Sequence, residues 1–170
     1  MQTFLPYPSY RRSALVLDMK RLGKQRVEVK QILNALRKPH YGWKNHPAVR
    51  MWMGYEYALV YYGMEMCVAW RDRGYKDSLL PEFREMRDQI AKELLDRGDA
   101  LIAYPKWIND YRIHTSHQSN LVRKDPDYYR DFFPRVPDDI PYYWPEPRDP
   151  NGGWHGRTVN EYAPAADEHA

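Results

Sequence analysis

Arg21, Lys24, Gln25 and Glu28 recur at three- and four-residue spacing, so a helix through them carries all four on one face. One carboxylate among cations stays ionised, and a fixed negative charge framed by positive ones is the chemistry such a face offers. Arg26 falls about 100° per residue around the helix from that line, toward a neighbouring face. The plain alternative is a solvated face with an intrahelical ion pair. Two features weigh against it: a proline-rich arm at Pro6 and Pro8 precedes the segment, and later segments supply Lys, Arg and aromatic residues in alternation.

A second group runs from His114 to Lys124. His114 and His117 share a helical face, which fits a metal pair, but no third ligand follows at a recognisable spacing and no cysteine lies nearby. Histidines that bind phosphate are the favoured reading, because the neighbouring Gln118, Ser119, Asn120, Arg123 and Lys124 are the side chains that hold phosphates in register. Rings alternate with charge from Asp125 to Phe133. They suit stacking on an exposed base and equally suit closing a core. Trp107, Tyr128 and Tyr129 are the stacking candidates. No GxGxxG, Walker phosphate loop or G-x-S-x-G elbow is present, so nucleotide-dependent and serine-hydrolase chemistry lack support.

The elements that must position these groups read as helices. Ser9 or Ser13 caps a short helix toward Leu17, and Asp18 caps the next. Apolar positions Leu22, Val29, Ile32, Leu33 and Leu36 recur at helical spacing between Lys20 and Leu36. The longest helix is expected from Pro47 to Arg73, where Gly74 ends it. Others span Pro81 to Arg97, Ile113 to Lys124, and a turn from Pro126 through Phe132. Beyond Phe133, six prolines between Pro134 and Pro150 bar regular helix and central strand, leaving a strap rich in Pro and aromatic residues. No strand pair is evident. The expectation is an all-α, compact single-domain helical bundle over 1–145, with a flexible tail over 146–170.

With 170 residues the chain is long enough for one core. Its 15 Tyr and 6 Trp are rings with polar tips, fit for packing, interfaces or base stacking. A net charge of +3 permits nucleic-acid binding without arguing for it. The lone Cys67 excludes an internal disulfide. Neither a signal pattern nor a long apolar run occurs, so a cytoplasmic protein that avoids membranes is expected.

Taken in order, these segments resemble the pyrimidine-dimer DNA glycosylases of the phage endonuclease V type. Leu17-Asp18 through Val29 is similar to that family's catalytic helix, with Glu28 at the position of its essential glutamate. His46-Pro47 through Arg73-Gly74-Tyr75 resembles its long central helix, and Ser119 to Arg130 its basic helix and aromatic cluster. The likeness spans Thr3 to Phe133; the strap lies beyond it.

The resemblance implies a glycosylase coupled to an abasic-site lyase. The amino-terminal α-amine attacks sugar C1′, the base leaves, an imine forms, and the glutamate stabilises the cationic sugar. Catalytic roles then fall to Glu28 and Met1. DNA binding falls to Arg21, Lys24, Arg26, His46, His114, His117, Asn120, Arg123, Lys124, Tyr128 and Tyr129. The partner is double-stranded DNA with a damaged or modified pyrimidine, bound by a monomer, with neither metal nor cofactor. The amino terminus departs from the family. Relatives expose a small residue, often threonine, after methionine is removed, whereas Gln2 discourages removal of Met1. A non-catalytic DNA-binding protein of the same fold is the runner-up. A metallohydrolase built on His46, His114 and His117 is the third reading.

Overall fold

The computed structural model describes residues 1–145 and the backbone of Gly156–Thr158. Seven α-helices dominate: α1 (Tyr10–Val16), α2 (Met19–Arg37), α3 (Pro47–Arg50), α4 (Glu56–Asp72), α5 (Leu79–Asp96), α6 (Tyr111–Lys124) and α7 (Pro126–Tyr129). A 3-10 turn at Lys106–Asn109 leads into α6. Side-chain caps set the first two helices. The Arg12 amide donates to Ser9 Oγ at 3.2 Å, and the Arg21 amide to Asp18 Oδ1 at 3.0 Å. Ser13 is not a cap; its hydroxyl donates to the Tyr7 carbonyl oxygen and accepts from the Tyr7 amide.

Helix α4 is the axis of the bundle, packed against α2, α5 and α1. Gly63 is where it comes closest to both longer neighbours. A Cβ there would sit 2.7 Å from Val29 of α2 and 3.1 Å from Phe83 of α5, well inside van der Waals contact, so any side chain would push the helices apart.

The single helix expected over Pro47–Arg73 is two helices. Between α3 and α4 the chain turns at Met51–Tyr55, and Gly54 takes φ 79°, a left-handed conformation that glycine adopts without a Cβ clash. The break frees the Met51 carbonyl, which accepts a 3.0 Å hydrogen bond from the Trp107 indole. It also lets Trp52 and Tyr55 pack edge-on against that ring. Trp107 is therefore core, 1% exposed, and not a stacking surface.

The amino-terminal arm has no regular structure, as its prolines suggest, yet it is threaded into the body: Gln2, Thr3, Phe4 and Leu5 are all buried. The carboxy-terminal strap lies along α6. Ser119 Oγ accepts from the Ile140 amide, Ser116 Oγ accepts from the Tyr143 amide, and Asn120 donates to the Ile140 carbonyl. A strand pair does exist, contrary to expectation. Tyr143–Pro145 (β1) pairs antiparallel with Gly156–Thr158 (β2), a two-stranded ribbon whose partners are separated by proline and glycine residues that hid the pattern. The tail expected over 146–170 otherwise lies outside the described residues. Among those residues no helix is long and apolar enough to cross a membrane.

Candidate active site

Asp18 starts α2 so that Gln25 and Glu28 point inward beneath the arm while Lys24 stays at the rim. Gln25 is fully buried and uses both ends of its amide. Its Nε2 donates to the Gln2 carbonyl at 2.7 Å and to Glu28 Oε2 at 2.6 Å. Its Oε1 accepts from the Phe4 amide at 2.9 Å. The Tyr62 hydroxyl lies 2.6 Å from the same oxygen and 2.8 Å from the Phe4 carbonyl, with one proton to give to either. Burial, and then the negative Glu28, push the Tyr62 phenol well above its usual range, so it remains a neutral donor.

Further anchors fix the arm. The Trp52 indole donates to Thr3 Oγ1 at 2.9 Å. His117 Nδ1 accepts from the Leu5 amide at 2.8 Å, His114 Nδ1 lies 2.7 Å from the Leu5 carbonyl oxygen, and Gln118 donates to the Pro6 carbonyl. The result is a fixed terminus. The Met1 α-amine sits 3.6 Å from Glu28 Oε1, and the two side chains are 5% and 7% exposed. Lys24 Nζ reaches the same oxygen at 3.7 Å from a largely exposed side chain.

The surroundings are cationic. Lys124, at the end of α6, has its pKa lowered by partial burial and then by Arg21, Arg123 and Lys24. His46 caps α3 by accepting from the Ala48 amide at 3.1 Å. Burial lowers its pKa, and the positive amino terminus lowers it further. Tyr142, on the strap, hydrogen-bonds to the Gln2 side chain and feels the charge of Glu28; burial pushes its phenol up to about 12.

The site residues expected from sequence thus separate into groups. Met1, Glu28, Lys24, Lys124 and His46 converge. Arg21 borders them but is tied to Asp18 at 2.6 Å and to Asp125 at 3.6 Å. Arg26 points away: it pairs with the buried Asp77 and lies over the Trp70 ring at 4.4 Å. That places it inside the α2–α4 packing, with no guanidinium face left for phosphate. His114 and His117 are buried holders of the arm, and His117 is kept neutral by burial, its pKa lowered to about 3. Asn120 is buried and joins α6 to the strap, while Arg123 donates to its side-chain oxygen from an exposed position. Tyr129 is fully buried, its hydroxyl donating to Asp18 at 2.5 Å; Tyr128 is partly buried beside it. Among the described residues no three metal-ligating side chains gather.

Gln2, Tyr62 and Tyr142 were not foreseen. Tyr62 lies in the apolar stripe of α4 and reads as core, while Gln2 reads only as an obstacle to processing. Its position opposite α2 depends on where the arm is threaded, which no spacing encodes.

Residues 1–82, from the arm through the start of α5, match the family model of the pyrimidine dimer DNA glycosylases. The matched stretch holds Met1, Lys24, Gln25, Glu28, His46 and Tyr62, so the buried amine–carboxylate pair lies wholly within it. The likeness drawn between Ser119 and Arg130 lies outside. Neither a curated protein nor a solved structure matches the chain.

Proposed function

We propose that this pyrimidine dimer DNA glycosylase relative excises a damaged or modified pyrimidine from duplex DNA, and that the Met1 α-amine then cuts the strand as an abasic-site lyase. The observation that carries the reading is the 3.6 Å approach of the α-amine to a buried carboxylate. An α-amine is intrinsically less basic than a lysine side chain, which suits it to act as a nucleophile.

The neutral amine forms a bond to C1′ as the glycosidic bond breaks, and the bonding pair leaves with the base, which takes up a proton. Positive charge develops on the sugar, and Glu28 stabilises it at short range in a poorly solvated site. Loss of a proton from nitrogen and opening of the sugar ring give the imine. Removal of a C2′ proton then expels the 3′ phosphate. Gln25 fixes the Glu28 carboxylate through Oε2, leaving Oε1 to face the amine. Lys24, Arg123 and Lys124 are the cations placed to meet phosphates around the sugar. The retained Met1 replaces the processed small residue of other family members; Thr3 cannot serve, since it is fully buried and bonded through both its amide and its hydroxyl.

The test is excision from ultraviolet-irradiated duplex together with borohydride trapping on a duplex carrying an abasic site. Glu28→Gln should keep duplex affinity and lose about 10²-fold or more in excision. Peptide mapping should place the trapped adduct on Met1. An adduct on Lys24 or Lys124 would move the nucleophile, and excision by Glu28→Gln at the wild-type rate would remove the carboxylate from the mechanism.

A further inference from the structure

Arg21 sits between two carboxylates that are not equivalent. Its Nη1 donates to Asp18 Oδ2 at 2.6 Å and lies 3.6 Å from Asp125 Oδ2. The Asp18 side chain is 13% exposed, accepts from the Tyr129 hydroxyl as well, and caps α2 through the Arg21 amide. Asp125, at the junction of α6 and α7, is 40% exposed and reaches Arg21 only at ion-pair range, beyond a hydrogen bond. An exposed pair at that distance adds little to stability. Nor does α7 need the charge: Asp125 starts that helix by accepting from the Tyr128 amide at 3.3 Å, which an uncharged asparagine does equally well.

What the charge does is occupy a place among cations. Arg123 and Lys124 directly precede Asp125 in the chain. On the facing helix Lys24 lies one turn beyond Arg21 and pairs with Glu28 at 3.7 Å. The Arg21 guanidinium is steadied over the Tyr129 ring at 5.5 Å. Phosphates near Met1 and Glu28 would be met by these cations, and the one nearest Arg21 would find a carboxylate already there.

We propose that Asp125 is an autoinhibitory competitor: its carboxylate holds the place beside Arg21 that a duplex phosphate takes, and DNA engages Arg21 only by displacing it. The inference rests on the DNA-binding part of the proposed function and adds to it a control on how tightly duplex is held. Binding of undamaged DNA is almost wholly neutralisation of phosphates by cations. A carboxylate that keeps one cation occupied loosens the grip on undamaged duplex and on strands already cut, and so speeds their release.

Asp125→Asn keeps the cap and removes the charge. Its melting temperature should stay within 2 °C of wild type, its affinity for an undamaged duplex should rise at least threefold, and the salt dependence of binding should steepen by nearly one counterion. Two controls separate competition for Arg21 from a general loss of negative charge. Asp127→Asn, which removes another exposed carboxylate of the same segment, should change affinity less than 1.5-fold. In an Arg21→Gln background, Asp125→Asn should gain nothing. Unchanged affinity in Asp125→Asn, an equal gain in Asp127→Asn, or a gain that survives Arg21→Gln would overturn the proposal. The readout is binding, so a wild type that holds duplex and excises nothing sinks the glycosylase reading while this test still decides for or against the competitor. A wild type that binds no duplex removes both.

Discussion

Replacing Gln25 with methionine keeps the length and volume of the side chain and deletes its polar end. In the native site that amide serves four groups: the Gln2 carbonyl, Glu28 Oε2, the Phe4 amide and the Tyr62 hydroxyl. Two have alternatives. The Tyr62 hydroxyl turns wholly to the Phe4 carbonyl at 2.8 Å, and Glu28 keeps Met1 and Lys24. The Phe4 N–H and the Gln2 C=O are left buried without partners. At about 1–3 kcal/mol for each orphaned group, the cost is about 2–6 kcal/mol, a large share of the 5–15 kcal/mol that typically holds a domain together. At roughly 2–4 °C per kcal/mol the melting temperature should drop by about 4–24 °C. The damage should stay local, because His114, His117 and Gln118 still grip Leu5 and Pro6. Hydrogen exchange should therefore rise in the peptide holding Phe4 and not in that holding Val60 and Tyr62, while borohydride trapping falls at least tenfold. A variant that melts within 2 °C of wild type and traps as well would refute the view that Gln25 sets the position of the amine.

Two further outcomes follow from the same geometry. Arg26→Met should lower stability, since it strips the buried Asp77 of its cation, and leave the salt dependence of duplex binding unchanged; removing charge at Lys24, Arg123 and Lys124 together should flatten that slope by nearly three counterions. Acid should weaken the fold through His117, whose pKa is about 3 when folded and about 6.5 when unfolded. Its contribution is complete above pH 6.5 and declines as pH falls toward 3, by up to about 1.4 kcal/mol per unit. His46 acts in the same direction, so His117→Asn, whose amide oxygen can still accept from Leu5, isolates the effect: stability measured between pH 6.5 and 4.5 should fall less steeply in the variant, and an equal slope would exclude His117 as the source.

Helical periodicity made α2 and the caps at Ser9 and Asp18 legible, because these follow from neighbours within one turn. The face joining Lys24, Gln25 and Glu28 was legible for the same reason. What periodicity does not carry is depth. Arg26 and Glu28 are two residues apart, and sequence offers both as charged helix positions; tertiary packing buries one against Asp77 and the other against the arm. The break at Gly54 was hidden because the apolar stripe runs straight through it, and only the Trp107 ring waiting for the Met51 carbonyl explains why the helix stops. His114 and His117 looked like ligands because spacing alone cannot distinguish a histidine aimed at phosphate from one aimed at a backbone 109 or 112 residues away.

Those last separations bear on how the protein comes into being. Leu5 and Pro6 of the arm are docked by residues of α6, more than a hundred positions later. Pairings of such range close late and slow folding. The α-amine is thus unplaced through most of synthesis, and acquires its carboxylate setting only once α6 has emerged and closed over the arm. A peptide fused ahead of Met1 would turn that amine into an amide and would have to leave through a nearly closed wall of side chains. On the proposed mechanism, recombinant protein carrying its affinity handle at the carboxy terminus preserves the chemistry, whereas an uncleaved handle at the other end yields a molecule without its nucleophile.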